Sequence, residues 1–305
     1  MAKISPVKPA IKASTVKKCT RKKCATKKLK AMKDKAKLSI FDESVDCAFG
    51  NMADRLVKIQ RDLLMPAILF EKEKVQNTIT VFGSARIRPQ EQTKVILDEA
   101  KANYKKHKNA EAKFALEKAE IAFEMSKYYT AAEELCARLQ QWINTLEVPE
   151  EEKFYIITGG GPGIMEAANK GANKSGGKTG GLTIFIPDEQ ARNKYVSEEL
   201  SVKFNYFLMR KFWLLFFSKA LIVFPGGTGT LDEFFEVFTL LKTSKTPFYM
   251  PIVLFGKKFW SNLIDFDFLF STDVATFEDA KLFMVTDTVD EAFDYITSSL
   301  SKLFK

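Results

Sequence analysis

Apolar residues in this chain recur as short continuous runs rather than in strict alternation, and stretches of helical period separate the runs. "TITVFGSAR" (78–86), the start of "FYIITGGGPGIMEAANKGA" (154–172), "GGLTIFIP" (180–187), "KALIVFPGG" (219–227) and "MPIVLFG" (250–256) are β-branched or aromatic, as strands buried on both faces are. Each is followed by a helical pattern or by a connection long enough for one. "FMVTDTVDEAFDYITSSL" (283–300) reads as a last short strand and a closing amphipathic helix. This order predicts an α/β fold, a doubly wound parallel sheet with helices on both faces.

Other helical patterns lie outside that alternation. Residues 38–77 form an expected N-terminal helical segment, with Leu56, Ile59, Leu63 and Leu64 at helical spacing facing the main domain and Pro66 kinking or ending the helix. From about Glu91 to Leu146 charges and alanines dominate, and Ala132, Leu135, Cys136, Leu139, Trp142, Ile143 and Leu146 make the clearest apolar stripe. The part from about 91 to 126 is expected to be a helical insertion. Residues 1–37 are expected to be disordered, because repeated Lys-Lys pairs repel and little apolar surface offsets chain entropy. The main domain is then 78–305.

Composition sharpens this division. The chain has 305 residues, 46% of them hydrophobic, and a net charge of +9. Residues 1–33 hold twelve Lys and Arg and no acid, and removing those twelve from the 47 basic residues leaves 35 against 38 acidic ones. The tail therefore carries the excess charge, either as a solubilising arm or as a polyelectrolyte arm for nucleic acid. No apolar run is long enough for a bilayer, and the N-terminus lacks the apolar core of a secretory signal, so no membrane partner and a cytoplasmic location are expected. The four cysteines form no C-x-x-C pair and His107 is the only histidine, so neither a metal site nor a cofactor is expected.

Three strand ends are rich in small residues: Gly83-Ser84, Gly159 to Gly163, and Gly226-Gly227-Thr228-Gly229-Thr230. Glycines admit close backbone approach to an anion, and a helix that begins at once adds its positive dipole end. The pattern points to a phosphate, within a mononucleotide or sugar phosphate. Pro162 is expected in the first turn of the helix after the second loop. None of the loops is a P-loop or a G-x-G-x-x-G fingerprint. Thr230 and Glu233 also match a capping box, so Glu233 has two readings: helix cap or chemistry. Arg210 and Lys211 are either solvated charges at a helix start or groups folded over the strand ends.

"GGGPGIMEAANKGA" and "RKFWLLFFSKALIVFPGGTGTLDE" resemble the LONELY GUY (LOG) family, whose signature is P-G-G-x-G-T-x-x-E preceded by an Arg-Lys pair. "GSAR" (83–86) and "IPDEQ" (186–190) resemble motifs of its longer variants. The resemblance covers about residues 78–299 apart from the insertion. It implies a dimeric or larger Rossmann-like assembly that needs no cofactor and hydrolyses nucleoside 5′-monophosphates, purine nucleotides or cytokinin ribosides, to free base and ribose 5-phosphate. It implies Arg210 and Glu233 as the catalytic pair. Gly83, Ser84, Gly160, Gly161, Glu166, Met209, Lys211, Gly226, Gly227, Thr228, Gly229 and Thr230 are the implied substrate and phosphate contacts. Some members have been labelled lysine decarboxylases, but the sequence shows no recognisable site for a pyridoxal phosphate Schiff base. Phe216 stands where shorter members carry a second arginine. The alternative function is a non-catalytic nucleotide-binding module tethered to nucleic acid by its tail.

Overall fold

Parallel strands need crossover connections, and the helical stretches between the apolar runs supply them. The computed structural model describes residues 52–185, 192–246 and 249–304. The basic tail, Cys19, Cys24, Cys47 and the "IPDEQ" segment lie outside these residues. Two compact units divide the chain at Arg55, and Leu56–Lys305 is the larger. In chain order the elements are α1 (Met52–Lys72), β1 (Asn77–Phe82), α2 (Gln90–His107), α3 (Ala110–Met125), α4 (Lys127–Thr145), β2 (Phe154–Thr158), α5 (Ile164–Lys174), β3 (Thr179–Ile184) and β4 (Ser201–Phe204). They continue with α6 (Phe207–Phe216), β5 (Ser218–Val223), α7 (Thr228–Lys242), β6 (Ile252–Phe255), α8 (Lys257–Leu263), α9 (Phe266–Ser271), β7 (Phe283–Thr286) and α10 (Val289–Leu300).

All seven strands are parallel, in the order β4-β3-β2-β1-β5-β6-β7. The chain steps outward from β1 to β4, then returns to pair β5 against β1 and steps outward the other way. That reversal is the switch point at which doubly wound sheets bind ligands. Successive side chains of a strand feed opposite faces: Ala220 and Ile222 of β5 join one core cluster, with α4, α5 and α10. Leu221 and Val223 join the other, with residues of α1, α6, α7 and α8. Double-sided burial explains why the strands read as continuous apolar runs. Among the described residues, no helix is long and apolar enough to cross a membrane.

Several expectations change. The edge strand β4, four residues long with three of them at least partly exposed, escapes recognition because it has no continuous apolar run. Helix α1 runs through Pro66 without ending. The proline has no N–H for the carbonyl of Asp62 one turn earlier, and Trp213 Nε1 donates to that oxygen instead, at 3.1 Å. The expected apolar stripe of α1 is not its packed face: Leu56, Ile59, Leu63 and Leu64 are exposed, while Asp62, Pro66 and Phe70 are buried. The hydrogen bonds Asp62 makes decide the rotation of this helix, and no hydrophobic pattern reports them.

The stripe of α4 packs as its spacing implies, with Ala132, Leu135, Cys136, Leu139 and Ile143 buried and Trp142 and Leu146 partly so. The region expected as a helical insertion contains α2 and α3, joined at Lys108 and Asn109, whose Oδ1 caps α3 by accepting from Ala112 N at 2.8 Å. Helices α4 and α5 touch through backbone at Gly171, where a Cβ would overlap the carbonyl of Glu133, and Lys170 and Lys174 pair with the Glu133 carboxylate at 2.6 and 3.0 Å. Gly171→Ala is therefore expected to force these helices apart and cost about 1–3 kcal/mol, measured as a lower urea midpoint at unchanged m-value.

Candidate active site

The loops after β1, β2 and β5 leave adjacent strands at the switch point and bond to one another. Ser84 N donates to the carbonyl of Pro225 at 3.0 Å, and Ser84 O accepts from Ile164 N, the first residue of α5, at 3.1 Å. The first loop is thus tied to both others. Gly163 has a φ of 71°, and a Cβ there would collide with the Ser84 carbonyl, so this contact requires glycine. Pro162 lies before the cap rather than in the first turn, since α5 begins at Ile164 with Gly163 as its cap.

The loops enclose a cavity of about 490 Å³ lined by Phe82, Gly83, Ser84, Ala85, Arg86, Gly159, Met165, Phe207, Arg210, Gly227, Thr228, Gly229, Thr230 and Glu233. This is an ordinary size for a small-molecule site. Another hollow, about 330 Å³ between Tyr128, Lys258 and Leu263, contains none of the motif residues.

One end of the cavity is the N-terminus of α7. Its cap is Gly227, with no side chain bonded to the first turn. The N–H groups of Thr228, Gly229 and Thr230 have no acceptor within the helix, and their residues line the cavity, an arrangement that favours an anion. The capping-box reading of Glu233 fails here. Thr230 is the third helical residue rather than the cap, so Glu233 falls on the second turn and cannot reach the cap N–H.

Glu233 instead meets Arg210, with Arg210 Nη2 donating to Glu233 Oε1 at 2.9 Å. Their side chains are only 14% and 12% exposed. Burial pushes the Glu233 carboxyl from 4.5 up to about 7, although the Arg210 guanidinium pulls it down; neighbouring Asp232 adds to the rise. A carboxyl titrating near neutrality is suited to exchanging protons with a substrate or water. Among the described residues, Arg210 Nε is buried without a protein acceptor, a donor left over for a ligand. The Phe207 ring, 53% exposed, lies 5.3 Å from the same guanidinium.

Of the residues expected at the site, the cavity gathers Arg210, Glu233, Gly83, Ser84, Gly227, Thr228, Gly229 and Thr230. The others are placed elsewhere. Lys211 is not among the residues lining the cavity and pairs with Asp232 at 3.1 Å and Glu236 at 2.8 Å, along the outer side of α7. Met209 packs against the core. Glu166 accepts from Tyr129 Oη at 3.4 Å. Gly226 precedes the part of its loop that borders the cavity. Gly160 and Gly161 are engaged internally: Gly160 N donates to Thr158 Oγ1 at 2.9 Å, and Asn193 Nδ2 binds both glycine carbonyls at 3.1 and 2.9 Å. The second glycine loop is therefore held by a buried network of Thr158, Asn169 and Asn193, and only Gly159 of it reaches the cavity.

Sequence reading missed Phe207, Met165, Arg86 and Asn193. Phe207 lies within an apolar helix and looks like core; Arg86 stands in the quoted "GSAR", its only signal.

The chain matches the family model described as "Possible lysine decarboxylase" over residues 165–296, less than half of its length. That segment contains Arg210, the third glycine loop and Glu233, and the description is one that members of the LONELY GUY family have carried. No curated protein matches the chain. Among solved structures, it is similar to a structural-genomics target, TM1055, at 20% identity and a TM-score of 0.44, over 73% of this chain and 99% of the other. It is also similar to a molybdenum cofactor carrier protein from Chlamydomonas reinhardtii, at 20% identity and a TM-score of 0.42, over 74% and 99%. A molybdenum cofactor binding protein from Rippkaea orientalis aligns at 16% identity and a TM-score of 0.42, over 73% and 96%.

The Glu233 titration has a consequence for stability. Its folded pKa lies above its unfolded one, so the folded state binds the extra proton between about pH 4.5 and 7, and stability is lost as pH rises across that window. The loss is on the order of 3 kcal/mol. Urea unfolding of the unliganded protein at pH 4.5 and 7.5 should show this decline, and Glu233→Gln should flatten it.

Proposed function

We propose that the cavity binds a nucleoside 5′-monophosphate and hydrolyses its N-glycosidic bond, releasing free base and ribose 5-phosphate. The observation that carries this reading is the buried Arg210–Glu233 pair one helical turn from the open N-terminus of α7. A phosphate at the Thr228, Gly229 and Thr230 amides places an attached sugar beside Glu233. The unpartnered Nε of Arg210 is a donor for a ribose hydroxyl or a phosphate oxygen. Met165 and Phe207 supply the apolar wall against which a base can lie.

The chemistry follows from those positions. As the bond from C1′ to the base nitrogen lengthens, its electron pair leaves with the base and positive charge grows on the sugar. The Glu233 carboxylate stabilises that charge and accepts a proton from the attacking water, as carboxylates do in glycoside hydrolysis. The water's OH ends on C1′, and the one proton that Glu233 takes from it passes on to the base, which returns Glu233 to its ionised form. Burial keeps the carboxylate in a medium where its field is weakly screened.

A decarboxylase fits these residues poorly. Amine decarboxylation through pyridoxal phosphate needs a lysine for the Schiff base, and no lysine is among the residues that line the cavity. The nearest in sequence, Lys211, is held by Asp232 and Glu236.

The test is a panel of AMP, GMP, CMP and isopentenyladenosine monophosphate assayed for free base. Base release is expected from at least one of them, with kcat/KM rising with pH through about 7 as Glu233 ionises. Glu233→Gln should lower kcat by roughly 10²–10⁴-fold with nucleotide binding retained. Phe207→Ala should weaken nucleotide binding by roughly 1–3 kcal/mol and leave ribose 5-phosphate binding unchanged. Tight binding with no base release from any member of the panel would identify a non-catalytic nucleotide-binding protein instead.

A further inference from the structure

Helix α6 carries Arg210 in its first turn, yet its own cap residue, Tyr206, gives that turn no side-chain hydrogen bond. The cap comes from a segment about 140 residues earlier. Asp62 of α1, 2% exposed, accepts through Oδ2 from Asn205 N at 2.7 Å and from Tyr206 N at 3.0 Å, and through Oδ1 from Asn205 Nδ2 at 2.7 Å. Its main-chain oxygen takes the Trp213 indole, on the second turn of α6. Further along, Phe70 of α1 packs on Trp213 and Phe217 with ring centres 5.7 Å apart in both cases. One helix therefore holds α6 at its start, middle and end.

We propose that Asp62 is a positioning residue for the Arg210–Glu233 pair, and that α1 is a working part of the site rather than an appendage. A carboxylate that accepts two backbone N–H groups just ahead of a helix fixes where the helix begins and sets a negative charge near its positive end. The first helical bond of α6, Arg210 N to Tyr206 O at 3.1 Å, starts from the residue that Asp62 holds. Loosening that turn moves the guanidinium relative to Glu233. The Glu233 carboxyl reports such movement, because Arg210 is the group that most lowers its titration against burial. The other charges facing Glu233 are Lys211 of α6, Asp232 of its own helix and Arg86 of the first loop; Arg61 and Lys203 border Asp62.

Asp62→Asn keeps the volume but removes the charge and replaces one of the two accepting oxygens by an amide donor. Its effect is read on the Glu233 carboxyl itself, by carbon-13 NMR titration of the full chain, with the signal assigned by its absence in Glu233→Gln. An upward shift of at least about half a pH unit is expected, together with a roughly ten- to hundredfold fall in kcat/KM. Asn205→Ser, which removes only the side-chain donor to Asp62, should shift the carboxyl the same way by less, and it serves if Asp62→Asn does not fold. Leu139→Ala, which opens a hole in the core on the opposite face of the sheet, controls for lost stability and should leave the titration where it is. A folded Asp62→Asn protein, or where that does not fold a folded Asn205→Ser protein, whose Glu233 titrates as in the wild type overturns the proposal. So does an equal shift in Leu139→Ala. The titration does not require turnover, so a wild type that hydrolyses nothing refutes the proposed reaction while still testing the positioning.

Discussion

A carboxylate buried beside a single guanidinium is the interaction around which this molecule is arranged. Glu233 is costly where it sits: removed from water it favours its proton, and Arg210 at 2.9 Å offsets only part of that preference. The arrangement persists because each partner stands on an element fixed by other contacts. Helix α7 starts where the β5 loop delivers it, and α6 is clamped by α1 through Asp62, Trp213 and Phe70. Lys211, Asp232 and Glu236 stitch the same two helices together on their outer side. Packing, not the ion pair, maintains the geometry, which leaves the pair free to meet a ligand.

The glycine-rich loops divide the work unequally. All three lie at the switch point, but the second is a structural part, its amide and carbonyls engaged by Thr158 and Asn193. The first ties the others together through both main-chain groups of Ser84. The third presents unbonded helix amides to the cavity. Glycine content alone does not separate these roles, since the same residue that admits an anion also admits a neighbouring backbone. The partners of each N–H group separate them.

Much of the fold was legible because double-sided burial leaves a signature that one strand carries by itself. Five strands were readable in this way, as was the packed stripe of α4; β7, a partly buried edge strand, was readable from the unit it forms with α10. Strand β4 was not, because at an edge a strand needs little apolar surface. Helix α1 was misread for a related reason. Its apolar positions are not its packed ones, and its rotation follows from a buried aspartate and an indole bond to the carbonyl that Pro66 cannot use. A periodicity argument assumes that apolar contact chooses the buried face, and here hydrogen bonds chose it.

The sequence by itself determined the alternation of strands and helices apart from the edge strand β4, the three small-residue strand ends and the residues Arg210 and Glu233 as candidates, since these depend on local pattern and on motifs contiguous in the chain. Tertiary structure alone decided that Glu233 is no helix cap, that Lys211 and Glu166 are bound elsewhere, that Phe207 lines the cavity and that Asp62 holds the backbone just ahead of the helix carrying Arg210. The reason is physical: a cap is defined by which residue the helix begins at, a titration by what surrounds the carboxyl, and a cavity wall by the meeting of segments far apart in sequence. Asp62 and Tyr206 are neighbours only once the sheet has brought α1 against α6.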